Sequence, residues 1–153
     1  MNIFIEINNS IGCDIDKKGL KLSIEKTIKK VAEKTKIKKT IIVSVGLVSL
    51  KEIKKLNSKY RQKNYPTDIL SFANCDNKDS IFENDNDKFF LGELVVCCED
   101  IKNYSKKKNI SFEAEIFKIV SHGTLHLLGF RHGKEMFKIQ NMVSEEVVKK
   151  VLK

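Results

Sequence analysis

The sequence predicts an α+β fold, a single domain in which a small mixed sheet of about four strands packs with about five helices. Three observations lead there. Strand-like segments recur near residues 3–7, 40–48, 68–72 and 89–96. Helical spacing of apolar residues separates the first three and then dominates the C-terminal part. No repeat or linker interrupts the 153 residues, a length that buries one core without disulfide staples.

Ile3, Ile5 and Ile7 alternate with Phe4 and Glu6, the period of a first strand. From Leu20 the apolar positions move to helical spacing through Ile24, Ile28 and Val31, and Lys26, Lys29, Lys30 and Lys34 form the solvated face. Thr40–Val48 is rich in β-branched residues and reads as a buried strand. Ser49 with Glu52 makes a capping box, so a helix starts there and carries Ile53, Leu56 and Tyr60. It ends before Pro66, which disfavours helix at Tyr65.

Asp68–Phe72 is a short strand and Phe89–Val96 a longer one. The segment 74–88 between them holds Asp76, Asp79, Glu83, Asp85 and Asp87 and reads as a solvated loop. It lacks the spacing and glycine of an EF-hand. After Cys98 the chain turns helical. Phe112, Ile116, Ile119 and Val120 mark a helix with Glu113 and Glu115 favourably in its first turn, ending near Gly129. Met136, Ile139, Val143, Val147 and Val151 mark a last helix.

Hydrophobic residues at 41% and charged residues at 32% describe an ordinary globular chain. The formal charge of +9 favours an anionic partner such as nucleic acid, although heavy use of Lys, Ile and Asn also fits A/T-rich coding. Against 27 Lys stand only two Arg, Arg61 and Arg131, and those two merit attention for their bidentate fork. The start lacks a basic region followed by a long apolar run, and no apolar run approaches a membrane span. A cytoplasmic protein without a membrane role is therefore expected. Cys13, Cys75, Cys97 and Cys98 form no C-x-x-C pair and read as reduced, mostly buried small residues.

All three histidines lie in His122-Gly123-Thr124-Leu125-His126-Leu127-Leu128-Gly129-Phe130-Arg131-His132. His122 and His126 project from one face of the predicted helix, and a turn at Gly129 brings His132 back. Three neutral imidazoles with an open fourth position describe a catalytic zinc site on a helix and its following turn. Nickel, copper and iron also suit such donors. The alternative, three unrelated hydrogen-bonding histidines, fits a lone His better than this spacing. The spacing matches the metzincin pattern H-E-x-x-H-x-x-G-x-x-H except that Gly123 replaces the Glu base, which argues against a protease. Gly123 is read as leaving room for a bulky backbone to approach the metal.

A second group comprises Asn57, Tyr60 and Arg61, followed by Pro66-Thr67-Asp68-Ile69-Leu70-Ser71-Phe72. Arg61 at a helix end offers its fork to a phosphate, or makes a surface salt bridge. Asp68 either orients a ligand imidazole from behind or, like Ser71, serves turn and strand-end hydrogen bonding.

Taken together, H-G-x-L-H-L-x-G-x-x-H at 122–132, N-x-x-Y-R at 57–61, P-T-D-x-L-S-F at 66–72 and Leu91-Gly92-Glu93 resemble the YbeY family of bacterial endoribonucleases and rRNA maturation factors. The resemblance runs through about residues 40–150. It implies a zinc-dependent, single-strand-specific endoribonuclease that matures the 3′ end of 16S rRNA and serves ribosome quality control. Its partners would be precursor rRNA, the small ribosomal subunit and assembly factors. It implies one zinc per chain on His122, His126 and His132, with His122, His126 and Arg61 as catalytic residues. Family members commonly carry Asp before the third His, where this chain has Arg131, and Leu-Gly-Asp where it has Glu93. Arg131 beside the metal is placed to hold a phosphate or to point to solvent. The nucleophile is open between metal-activated water and the substrate's 2′-OH. Rival readings are a metalloprotease-like hydrolase and a non-enzymatic, metal-binding ribosome assembly factor.

Overall fold

The computed structural model describes residues 1–35, 38–75, 78–83 and 86–152. The elements follow one another as β1 (Asn2–Asn8), α1 (Lys17–Val31), β2 (Thr40–Leu47), α2 (Leu50–Arg61), β3 (Ile69–Ala73), α3 (Lys78–Glu83), β4 (Lys88–Val96), α4 (Cys98–Lys108), α5 (Phe112–Leu127) and α6 (Lys134–Val151). The four strands form one mixed sheet in the order β1-β2-β4-β3. β1, β2 and β4 run parallel, and β3 closes the edge antiparallel to β4.

Alternation decides how the sheet faces its helices. Ile41, Val43, Val45 and Leu47 of β2 are buried while their neighbours are only half covered. The main core joins these residues to Leu20, Ile24 and Ile28 of α1, Ile116, Phe117 and Val120 of α5, and Val143 and Val147 of α6. A smaller cluster lies on the other side, where Ile53 of α2 meets Leu70, Val95 and Cys97. The edge strand β3 is therefore sandwiched. Ile69 and Ser71 face α5, while Leu70 and Phe72 face α2. This sandwich brings the end of α2 and the C-terminal half of α5 to one cleft.

The helix boundaries have local causes. Asp16, Ser49 and Ser111 cap α1, α2 and α5, each side chain accepting from the backbone N–H three residues on. The register of β4 slips by one residue opposite Ile42 and Val43, and Gly92 there has φ +149°. A Cβ at Gly92 would collide with the Phe72 carbonyl, so the glycine of Leu91-Gly92-Glu93 belongs to a bulge. Glu93 points outward and is exposed.

Two expectations are corrected. The segment 74–88 is not wholly a solvated loop, because α3 forms within it and fully buries Ile81. An apolar Ile81-Phe82 pair in an acidic stretch was the signal, and it raises the helix count to six. Asp76, Asp85 and the side chain of Asp79 lie outside the described residues. The four cysteines are not all free thiols either, because Cys13 before α1 pairs with Cys98 at the start of α4. Cys97 stays a buried free thiol, pushed above its ordinary pKa by burial.

Candidate metal centre and active-site cleft

Helix α5 carries two of the three histidines on one face, as a four-residue spacing requires. It ends in a Schellman turn. Gly129 N–H donates to the His126 carbonyl and Phe130 N–H to the Leu125 carbonyl, each at 3.0 Å, with Gly129 at φ +90°. This reversal returns His132 to the helix face. The three Nε2 atoms then form a near-equilateral triangle, with separations of 3.1, 3.2 and 3.2 Å.

The other ring nitrogens decide the tautomers. His126 Nδ1 lies 3.1 Å from the Phe130 carbonyl, and His122 Nδ1 lies 2.7 Å from Gln140 Oε1. Both partners are oxygens that only accept, so each Nδ1 carries the proton and donates. Each Nε2 of that pair then bears a lone pair pointing at the other. Such lone pairs repel at 3.1 Å unless a cation lies among them. Two nitrogens on a tetrahedral zinc at 2.0–2.1 Å stand roughly 3.3 Å apart, so the observed triangle fits that ion. Among the described residues no other group of three such donors converges. His126 is held below the ordinary histidine pKa, first by burial and then by the charge of His122, against an opposing hydrogen bond to Phe130. Burial and its neighbours thus favour the neutral, metal-ready ring. His132 is exposed, and the Phe137 ring stacks on it with centroids 6.0 Å apart.

The triad opens into a cleft of about 680 Å³. Arg61, Lys63, Tyr65, Asp68, Ser71, Lys118 and Gln140 are among its other lining residues. Arg61 Nη2 donates to the Ser71 carbonyl at 2.8 Å, and its guanidinium sits 5.1 Å from the Phe72 ring centre. Ser71 Oγ in turn donates to the Gly123 carbonyl at 3.3 Å, so one residue of β3 touches both walls. No carboxylate pairs with Arg61 among the described residues, which sets aside the surface salt bridge.

The remaining candidates are placed differently. Asp68 accepts from Ile69 N–H at 2.7 Å and lies close enough to Asp100 to raise its pKa after burial. The hydrogen bonds to the ligand rings come instead from Gln140 and the Phe130 carbonyl. Arg131 is exposed and lines a neighbouring cavity with Gly133 to Met136, not the metal cleft. Gly123 does not open the approach to the metal. It is buried against β3, and a Cβ there would stand 2.6 Å from Ile69 Cδ1 and 3.0 Å from Leu94 Cδ2. The glycine is a close-packing site between helix and sheet.

Sequence reasoning missed Gln140, Lys63, Lys118 and Tyr65. For Gln140 a signal existed. It lies four residues after Met136 and three before Val143, on the apolar stripe of α6, and it is 4% exposed. A polar residue on a buried stripe needs a partner, and His122 is that partner. The lysines carried no signal among 27 of their kind.

These features define a class, the α+β domains with three converging histidines that could hold a metal in a cleft also lined by Arg61, Lys63 and Lys118. Residues 5–151 match the family described as Endoribonuclease YbeY. The Endoribonuclease YbeY of Wigglesworthia glossinidia brevipalpis is 44% identical over 110 residues, covering 72% of this chain and 68% of that one. That of Thermoanaerobacter sp. (strain X514) is 34% identical over 155 residues, covering 97% and 96%. The solution structure of TM1509 from Thermotoga maritima superposes with a TM-score of 0.61 at 30% identity, covering 97% of this chain and 90% of that one. The chain belongs to the endoribonuclease YbeY family.

Proposed function

We propose that this chain is a zinc-dependent endoribonuclease that cuts single-stranded RNA, matures the 3′ end of 16S rRNA and serves ribosome quality control in the cytoplasm. The observation that carries the reading is the convergence of three Nε2 atoms, 3.1–3.2 Å apart, in a cleft that Arg61 also lines. His122, His126 and His132 would hold the ion. When bound, it supplies Lewis-acid polarisation of a phosphate oxygen and lowers the pKa of water.

The chain's own residues do the rest. Gln140 and the Phe130 carbonyl keep the His122 and His126 rings oriented with their lone pairs inward. Arg61 spends one donor on Ser71 and a long 3.4 Å contact on the Tyr60 carbonyl, which leaves N–H groups for phosphate oxygens. Their charge stabilises what develops on the phosphate as the bond breaks. Lys63 and Lys118 extend the positive lining along the backbone's path. The small subunit and its assembly factors are the partners this role implies.

The buried Gly123 weighs against the metalloprotease reading. A carboxylate base at that position would have to penetrate the β3 interface. The test is metal analysis of the purified chain followed by cleavage assays on single-stranded RNA, double-stranded RNA and peptides. One zinc per chain and cleavage confined to single-stranded RNA are expected. Peptide cleavage would revive the protease. Intact RNA, with His126→Ala still supporting ribosome assembly, would favour a non-enzymatic factor.

A further inference from the structure

The cleft contains an aromatic residue that none of these roles uses. Tyr65 lines the same cavity as the three histidines and is 54% exposed. A tyrosine left that open is not a core residue. Its backbone is nonetheless held at two points. Pro66 follows it and confines it to extended conformations. Its carbonyl accepts from Asn57 Nδ2 at 2.8 Å, and Asn57 is itself 2% exposed at the end of α2. A buried amide is thus spent on fixing the loop that carries an exposed ring.

Neighbouring Tyr60 shows the contrast. Its ring packs edge-on against Phe72 with centroids 5.3 Å apart and takes Lys59 at 5.2 Å. Among the described residues the Tyr65 ring has no aromatic or cationic partner, and the residue is more than half exposed. Arg61, Lys63 and Lys118 line the same cavity. A rigid ring among cations is how single-strand channels hold nucleic acid, with a base stacked on the ring and the phosphates following the positive charge.

We propose that Tyr65 is a nucleobase platform, on which a base of single-stranded RNA stacks while its phosphate backbone passes Arg61 toward the histidines. This inference rests on the endoribonuclease reading above. Stacking tolerates any base, so the contact adds affinity and register without demanding a sequence.

The test uses the zinc-loaded full chain and a fluorescent single-stranded RNA of about twelve nucleotides. Anisotropy is measured in the cold at several salt concentrations, and gels confirm that the RNA stays intact. Tyr65→Ala should weaken binding roughly tenfold. The slope of log affinity against log salt should not change, because a ring displaces no counterion. Lys63→Ala should flatten that slope, and Tyr65→Phe should bind as the parent does. Tyr65→Trp gives a second readout, since the chain has no tryptophan. Its fluorescence should be quenched by the RNA and not by an abasic oligonucleotide of the same length. Unchanged binding by Tyr65→Ala together with an unquenched Tyr65→Trp would overturn the platform and leave the endoribonuclease reading intact. Equal losses in Tyr65→Ala and Tyr65→Phe would overturn it in favour of a hydroxyl contact. Failure of the parent chain to bind any single-stranded RNA would overturn both.

Discussion

The two walls of the cleft are built on different terms. The histidine wall grows from α5, whose neighbouring residues Ser121, Thr124 and Leu125 are buried. Two of its rings are pinned by oxygens that fix both orientation and tautomer. The opposite wall is an exposed arginine at a helix end, steadied by the Ser71 carbonyl and the Phe72 ring. One wall is fixed by hydrogen bonds to its rings, and the other rests on one short backbone hydrogen bond and one ring contact. A metal site needs the first, because three donors must meet an ion within tenths of an ångström. On the proposed reading Arg61 grips phosphate, and the N–H groups it does not use on Ser71 and Tyr60 are the ones that would do so.

Removing a histidine should break this comparison most completely. His126→Ala is expected to lose stoichiometric zinc and RNA cleavage together, as read by metal analysis and product gels. Its melting should also stop responding to added zinc, whereas the parent should gain about 2.7 kcal/mol at a hundredfold excess over Kd. Full zinc occupancy in the variant would sink the ligand assignment. Arg61→Ala should separate the walls. Zinc stays bound while turnover falls roughly 10²-fold, the scale of losing one transition-state donor. Lys63→Ala should cost less, and equal losses would reduce Arg61 to an ordinary surface charge.

Gln140→Leu tests whether the histidine wall is organised in advance. It keeps the volume and removes the acceptor, so zinc affinity should fall roughly 10- to 100-fold in a competition titration. Unaltered affinity would mean that the His122 ring needs no such guide. Gly123→Ala probes the sheet behind that wall. The ends of the Ile69 and Leu94 side chains must shift, at a cost that the roughly 1 kcal/mol gain of alanine over glycine inside a helix partly offsets, so denaturant unfolding should show a net loss of about 1 kcal/mol with zinc still bound. A stabilised variant would show that the contact has slack.

The smallest expected effect is a pH dependence of the metal-free protein. His126 has a lower pKa folded than its ordinary value near 6.5. The unfolded chain therefore takes up this proton first. The neutral ring's stability is fully present above about 6.5 and declines as pH falls through the folded value. Melting temperature should drop on acidification, and His126→Ala should blunt the drop. An identical slope in both proteins would remove His126 as its source.

Much of this protein was legible along the chain. The Ser49 cap, the two-residue period of β2 and the 3.6-residue period of α1 and α5 are local properties, and each appears close to where the pattern put it. The histidine triangle was legible for the same reason. A four-residue spacing, a turn glycine and a third histidine act within eleven residues, so helix geometry nearly settles their meeting. Local pattern does not say which other element covers a given face, and that limit explains what was missed. Nothing near Gly123 in sequence told that β3 lies against it, so an open approach was read where a packed interface exists. Gln140 lies eighteen residues from its histidine, and Arg61 is steadied from a strand ten residues on. The buried Ile81 likewise became a core residue only through the folding of the segment that carries it. By itself, the sequence determined the three histidines that converge and the helix that presents two of them. Only the tertiary structure decided what orients those rings, what faces them across the cleft and where an added Cβ would crowd the sheet. Such contacts arise from packing between distant segments, and their geometry exists only once the chain has closed on itself.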